Sequence, residues 1–347
     1  MGADSLTPGS DVLSEVEASA GLSRLESGCV IGADVGATKI AVGAVDQAGA
    51  IIFRREAASP SQDQQLMVRS VTRLITDAIE SARRECFEVA ACGVGAAAFV
   101  LHAEGLLLSA PNISWSDVPL QRLLREATGL PSFVDNDATA AAAGEHLAGV
   151  CTGVDDFVYL TLGTGIGGGI FVGGRLYRGH KGTAAEFGHM TLDPEGPLCA
   201  CGRRGCLEAM ASGTALEREA SALAEADKSS LLCELRGGVE AGITGEIVSA
   251  AAERGDPAAL EAFRRVGYNL GLGVVNLIHA FDPSKVVLGG GMSRSGHFLL
   301  DEVARVVSER GLPELTRGVE VVLSGLGADA GLVGAGAIAW EGIGGPS

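Results

Sequence analysis

The chain has 347 residues, 47% of them hydrophobic and 20% charged, with 51 glycines. That length and balance suit a two-domain globular protein with a sizeable core. Twenty-six Lys and Arg against 43 Asp and Glu leave a net charge of −17, a field that opposes nucleic acid and acidic membrane surfaces as general partners. A single phosphate ligand held by backbone N–H groups stays compatible with it.

Residues 1–28, with five acidic residues, one arginine and no apolar core, read as a disordered leader rather than a secretion signal. No apolar run reaches membrane-spanning length, so a cytoplasmic setting with reduced thiols is expected. From Cys29, "CVIGADVGATKIAVGAVDQAGAIIFRRE" holds three apolar runs separated by glycine turns, the pattern of an antiparallel meander. An amphipathic helix follows, with Leu66, Val71, Leu74, Ile75, Ala78 and Ile79 on one face and Ser61 with Gln64 as a capping box. "VAACGVG" reads as strand and "VPLQRLLREATGL" as helix; "PSFVDNDATAAAAGEHLA" reads as a short strand feeding an alanine-rich helix.

The same order then recurs. "DFVYLTLGTGIGGGIFVGGRLYRG" is a second strand–turn meander, followed by helical patterns near 213–226, 245–254 and 257–280. "KVVLGGGMSRSG" is a strand entering a glycine turn, and "VEVVLSGLGADAGLVGAGAIAW" a strand and a helix. Two meander-plus-helix units, each opening on a glycine turn, point to two related domains facing one cleft.

Gly163, Gly165 and Gly168 satisfy G-x-G-x-x-G, but a strand-like stretch follows them where a dinucleotide fingerprint needs a helix. Such a turn, like "DVGATK" with Asp34, can still present N–H groups to phosphate, or be a plain hairpin turn. Asn112, the run Asp135, Asn136 and Asp137, and Glu186 are polar candidates; Asp137 alone is equally readable as a helix N-cap. The most specific local signal is "GHMTLDPEGPLCACGRRGCLE": His189, Cys199, Cys201 and Cys206 supply the four ligands of a closed, structural zinc site. A disulfide would strand one of the three thiols, C-x-x-C is absent, and a catalytic zinc would need an open position.

These motifs together resemble the ROK (repressor, open reading frame, kinase) family of sugar kinases and regulators, over about Ile31 to Ala339, and most of all its actinobacterial glucokinase type. "DVGATK" is similar to the first phosphate motif, "DNDATAAAAGE" to the catalytic motif and "LTLGTGIGGGI" to the second phosphate motif; "AEFGHMTLDPEGPLCACGRRGCLE" resembles the sugar-binding and zinc signature. Ala37 departs from the family's second glycine in the first motif. The resemblance implies an actin-like/hexokinase-like (ribonuclease H-like) α/β fold. Residues 29–136 plus 329–347 would form the smaller domain and 137–328 the larger, which carries the zinc loop 188–208. It further implies ATP-dependent phosphorylation of D-glucose with Asp137 as general base and Asp34 organising Mg²⁺. Asn112, Asn136, Asp137, Glu186, His189 and Glu208 would bind the sugar. Gly36, Thr38, Lys39, Thr164 and Gly165 would surround the phosphates, and Gly290 and Gly291 would lie near the adenosine. The partners implied are sugar and ATP, in a homodimer or homotetramer. Other hexoses, N-acetylmannosamine, polyphosphate as donor, and a non-catalytic regulator stay open as alternatives.

Overall fold

The computed structural model describes residues 28–110, 113–237 and 242–345; the leader up to residue 27 and the candidate Asn112 lie outside the described residues. The first meander is β1 (Gly28–Val35), β2 (Lys39–Val45) and β3 (Ile51–Ala58), followed by helix α1 (Gln64–Arg84) and strand β4 (Glu88–Ala96). A small sheet of β5 (Phe99–Leu101), β6 (Leu106–Ser109) and β7 (Ser116–Val118) intervenes before α2 (Leu120–Thr128) and β8 (Ser132–Asn136). The main sheet runs β3-β2-β1-β4-β8, antiparallel through the meander and parallel from β1 outward.

Helix α3 (Asp137–Ala148) leads into the second half: β9 (Phe157–Leu162), β10 (Ile166–Val172) and β11 (Arg175–Leu176). Helices α4 (Leu207–Ala211), α5 (Gly213–Ala226), α6 (Leu231–Leu235), α7 (Gly245–Glu253) and α8 (Pro257–Phe281) follow. The chain then forms β12 (Lys285–Gly289), α9 (His297–Arg310), α10 (Pro313–Thr316), β13 (Glu320–Leu323) and α11 (Ala330–Gly342). This sheet runs β11-β10-β9-β12-β13 with the same alternation of antiparallel and parallel pairs. The repeat expected from pattern is therefore a repeat of topology.

One local expectation fails. The cap of α1 is Asp63, whose Oδ1 accepts from Leu66 N at 3.0 Å, and not Ser61. Gln64 is already helical, and its Oε1 accepts from Ser116 N at 2.9 Å instead of reaching back. The helix starts two residues later than a Ser61 cap requires, because the short Asp63 carboxylate reaches the third helical N–H directly. Unanticipated were the three-stranded sheet, whose strands are very short, and α9, although Leu299, Val303, Val306 and Val307 line its buried face.

Helix α3 is buried on all sides from Ala138 to Glu145, which explains a sequence of almost nothing but alanine. Helix α11 lies against it and also crosses β1 and β4. A Cβ on Gly334 would sit 1.9 Å from the Ala140 carbonyl oxygen, and one on Gly93 of β4 would sit 1.9 Å from that of Ala335. Glu145, the carboxylate inside this packing, accepts from Val150 N (2.9 Å), Leu326 N (3.1 Å) and Gly325 N (3.3 Å), and from the Ser324 hydroxyl. It thereby pins the segment entering α11 to the end of α3.

Gly334→Ala is expected to destabilise the fold by about 1–3 kcal/mol, because the methyl meets backbone that cannot rotate away. Chemical denaturation of the variant beside the parent checks this; an unchanged midpoint would mean that α3 and α11 separate at little cost.

Candidate active site

Strand β8 ends where α3 begins, and the junction carries Asp135, Asn136 and Asp137. Asn136 is the N-cap: its Oδ1 accepts from Ala138 N at 2.9 Å and Thr139 N at 3.1 Å, while Nδ2 donates to Ala98 O at 3.2 Å. The N-cap reading of Asp137 is thus set aside, since the residue before it does that work. Asp137 is the first helical residue, its carboxylate accepting from Ala138 N at 2.9 Å. Burial pushes its pKa up, and the backbone N–H groups of the helix start only partly offset that. Asp135 is fully buried and accepts from Arg178 Nε at 2.7 Å, with His102 Nδ1 at 3.2 Å. Burial alone would raise its pKa, but His102 and Arg178 reverse this and hold it below the ordinary carboxylate value. Arg178 also makes a two-pronged pair with Glu341 of α11, at 3.0 and 2.5 Å.

A cavity of about 270 Å³ lies in front of this junction. Ala37, Phe99, Asn136 and Asp137 line one side, and Thr164, Gly165, Glu186, His189 and Glu208 line the other. Burial, then the Asp137 and Glu208 carboxylates, push Glu186 up to about 7. Glu208, at the start of α4, accepts from Ile166 N at 3.0 Å through Oε2. A Cβ on Gly165 would stand 2.3 Å from that same oxygen, so the β9–β10 turn can lie this close only as glycine. Because β10 follows that turn, the dinucleotide reading of its glycines fails.

Beside this cavity, the ligand atoms of His189, Cys199, Cys201 and Cys206 all lie within 4.8 Å of one another. Cys201 and Cys206 sulfurs are 3.7 Å apart, and Cys199 Sγ is 3.8 Å from His189 Nδ1. Tetrahedral sulfurs at ~2.3 Å from zinc stand about 3.8 Å apart, so the donor set fits the ion in spacing as well as type. Bridges between Thr191 and Cys206 and between Leu198 and Arg204 fold the loop. Gly202 and Gly205 take φ of 84° and 65°, and a Cβ on Gly205 would fall 1.4 Å from Asp193 O. With Nδ1 toward the sulfurs, Nε2 is the ring nitrogen left for the cavity.

A second cavity of about 270 Å³ is lined by Asp34, Lys39, Asp137, Gly290, Gly291, Arg294 and Gly331, with the N-termini of α3 and α11 at its edge. Asp34 is pushed up to about 6, first by burial and then by Asp137, against the opposing pull of Lys39 and Arg54. A third, of about 520 Å³, adjoins it and includes Thr164, Gly213, Thr214, Glu217, Gly245, Glu246, Gly291 and Arg294. Gly36 and Thr38 line none of these three cavities: Gly36 N donates to Lys39 O and Thr38 O accepts from Ser59 N, both at 3.0 Å. Gly213, Thr214, Glu217, Gly245, Glu246 and Arg294 were not anticipated as site residues. Their signal was the pair "SGT" and "TGE", a hydroxyl N-cap (Ser212, Thr244) followed by glycine at the start of α5 and of α7.

Two sheets of one topology, with a carboxylate at a helix start shared by two adjoining cavities, define the actin-like/hexokinase-like class of phosphotransferase fold. The sequence model described as the ROK family matches residues 30–341, and the chain belongs to that family. It is 40% identical over 317 residues to the glucokinase of Streptomyces coelicolor, covering 90% of this chain and 98% of that one. The solved structure of a ROK family glucokinase from Streptomyces griseus, in complex with glucose and AMPPNP, superposes with a TM-score of 0.80. Identity there is 41%, with 90% of this chain and 100% of that one covered. The xylose repressor of Caldicellulosiruptor bescii is 31% identical over 82% of this chain and 71% of its own. Among the described residues, no helix is long and apolar enough to cross a membrane.

The Asp34 shift fixes a sign for stability. Its native pKa of about 6 lies above the ordinary 3.8, so the native state binds the proton more tightly than the unfolded chain. Asp34 is therefore neutral toward stability below its unfolded pKa, and destabilises increasingly as pH rises through its native pKa. In the absence of divalent cation, Asp34→Asn is expected to stabilise the protein at pH 8 by on the order of 2 kcal/mol and to have little effect at about pH 3. Thermal melts across that range check it.

Proposed function

We propose that the protein is an ATP-dependent glucokinase that transfers the γ-phosphoryl group to the 6-hydroxyl of D-glucose. The observation that carries this reading is the seat of Asp137: among the described residues it is the one carboxylate lining both the acceptor cavity and the phosphate cavity. A carboxylate at that point can take the proton of a hydroxyl in the first cavity as it attacks phosphorus in the second. Asn136 caps α3 and keeps Asp137 in place, its side chain also hydrogen-bonding the Asp137 carboxylate. Glu186, Glu208 and His189 Nε2 offer partners to the sugar hydroxyls, and a wrong hydroxyl pattern leaves one of them unpaired at about 1–3 kcal/mol. Asn112, outside the described residues, keeps its proposed sugar role on the resemblance alone.

On the donor side, the N-termini of α3 and α11 favour the charge of the transferring phosphoryl group. Asp34 and Asp137, two desolvated carboxylates with raised pKa values in one cavity, are a donor set that calls for a cation. Mg²⁺, bound with the nucleotide, would neutralise phosphate charge there, and Asp34 would face it. The boundary between a smaller domain (29–136 with 329–347) and a larger one (137–328) would fall at the β8–α3 junction, so closure of the domains would bring the two cavities together over Asp137.

Activity with ATP is expected on glucose before mannose, fructose, allose, N-acetylmannosamine and N-acetylglucosamine in kcat/KM. Asp137→Asn should lower kcat about 10²- to 10⁴-fold without lowering the melting temperature, since it removes a buried carboxylate whose pKa is raised. A coupled assay over these sugars with both proteins tests the reading. An acetamido sugar at the top would refute glucose as acceptor, and parent protein without turnover on any sugar would leave a sugar-sensing regulator, as the repressor relative has it.

His189, Cys199, Cys201 and Cys206 would hold one zinc per chain, cross-linking the loop that carries His189 toward the sugar. Elemental analysis is expected to return about one equivalent. Cys201→Ser should release it and raise the KM for glucose, since the loop loses its clamp. Fully active protein without zinc would overturn this role.

A further inference from the structure

The 3₁₀ turn Gly291–Ser295 stands between the two donor-side cavities, and Arg294 within it lines both. Its neighbours hold the turn. Ser293 Oγ donates to Gly290 O at 2.7 Å, and Ser295 Oγ is hydrogen-bonded to Ser249 Oγ of α7 at 2.7 Å. Arg294 is exposed and forms no salt bridge within 4 Å among the described residues, although its charge acts on Glu246, whose pKa is held down first by hydrogen bonds from its own N–H and from Thr244. The other cations near the phosphate cavity are committed: Lys39 Nζ lies 2.9 Å from Glu56, and Arg54 is paired with both Glu56 and Asp329. In a chain of net charge −17, an unpaired guanidinium on a fixed turn between two cavities is placed to receive an anion.

The charges on either side give the anion a direction. Toward Asp137, the smaller cavity ends on the N-termini of α3 and α11, where the transferring group belongs. Away from it, the larger cavity carries the carboxylates of Glu217 and Glu246; Glu217 is held by Gly245 N at 2.9 Å. Phosphate is therefore favoured as far as Arg294 and repelled beyond it, while the hydroxyls and amino group of a nucleoside can donate to the two carboxylates.

We propose that Arg294 holds the α-phosphate of the donor and that Glu217 and Glu246 end the phosphate track there, so that the site takes a nucleoside triphosphate and refuses inorganic polyphosphate. This rests on the donor-side reading above. It makes Arg294 a specificity-determining residue that contacts the donor without taking part in proton transfer.

Calorimetric titration of the full chain with Mg²⁺ and, in turn, ATP, ADP, AMP and adenosine tests it on the parent, Arg294→Met and Arg294→Lys. Arg294→Met is expected to weaken all three phosphorylated ligands by about fivefold or more and adenosine by less than about twofold. Arg294→Lys should recover much of the loss. In steady state the KM for ATP should rise while kcat at saturating ATP and the KM for glucose hold, and long-chain polyphosphate should support under about a hundredth of the turnover with ATP. Equal weakening of adenosine and ATP would overturn the proposal, since it would mean a change of cavity shape. Unchanged AMP affinity, or polyphosphate turnover comparable to that with ATP, would overturn it as well. Should Arg294→Met fail to fold, the lysine variant carries the test: AMP affinity lost to the same extent as adenosine affinity would count against the proposal. A parent protein that binds none of the four ligands would instead refute the donor-side reading underneath.

Discussion

Everything at the cleft depends on how closely two helix backbones can approach. Helix α3 runs from the first sheet toward the second, α11 lies along it, and the glycine at 334 and the alanines of α3 remove the side chains that would hold them apart. Asp137 is the first residue of one helix and Gly331 lies in the first turn of the other, so the same packing sets where the proposed base stands and how two helix N-termini meet at one cavity. Glu145 makes the arrangement single-valued. Its carboxylate is satisfied by the backbone of the segment entering α11, and a slip between the helices would leave it buried and unpartnered.

The cleft gathers carboxylates and then manages their charge by different means. Asp135 is neutralised by Arg178, and that guanidinium also takes Glu341, so one cation joins β8, the segment after β11 and the end of α11. Asp34, Asp137 and Glu186 have no such partner and carry raised pKa values. The difference separates two settings: the paired carboxylate holds the junction, and the others line the two cavities. In so acidic a chain, oriented backbone N–H groups at helix starts favour an anion without adding formal charge, beside the guanidinium of Arg294.

What the sequence made legible follows from what physical chemistry writes into single residues. Both meanders announced themselves through apolar runs cut by glycine, and the cluster of His189, Cys199, Cys201 and Cys206 through ligand type and number. The glycines at 202 and 205 mark turns because positive φ costs glycine least. The α1 cap was misassigned because Ser61 and Asp63 are both good caps, and the choice between them is made by Ser116 drawing off Gln64, a contact 52 residues away. Asp137 could not be separated from a cap in one dimension, since the answer lay in which oxygen of the Asn136–Asp137 pair faces the helix. The nucleoside-sized cavity was silent for a similar reason: its walls come from α5, α7 and the turn after β12, far apart in sequence and ordinary one at a time. Gly36 and Thr38 sit in a hairpin turn whose neighbours Ala37 and Lys39 line the cavities, a placement that the letters of the motif do not specify.

The position of α11 also has a consequence for synthesis. The faces of β1 and β4 that this helix covers belong to the earliest part of the described fold, and the helix to its last. On a ribosome adding about 5–20 residues per second, the first sheet would wait roughly 10–40 s with an apolar face open before its lid emerges. The first half therefore cannot finish as an independent unit during translation. A truncation that kept Asp137 and the acceptor-side residues but removed the last helix would leave it in that state.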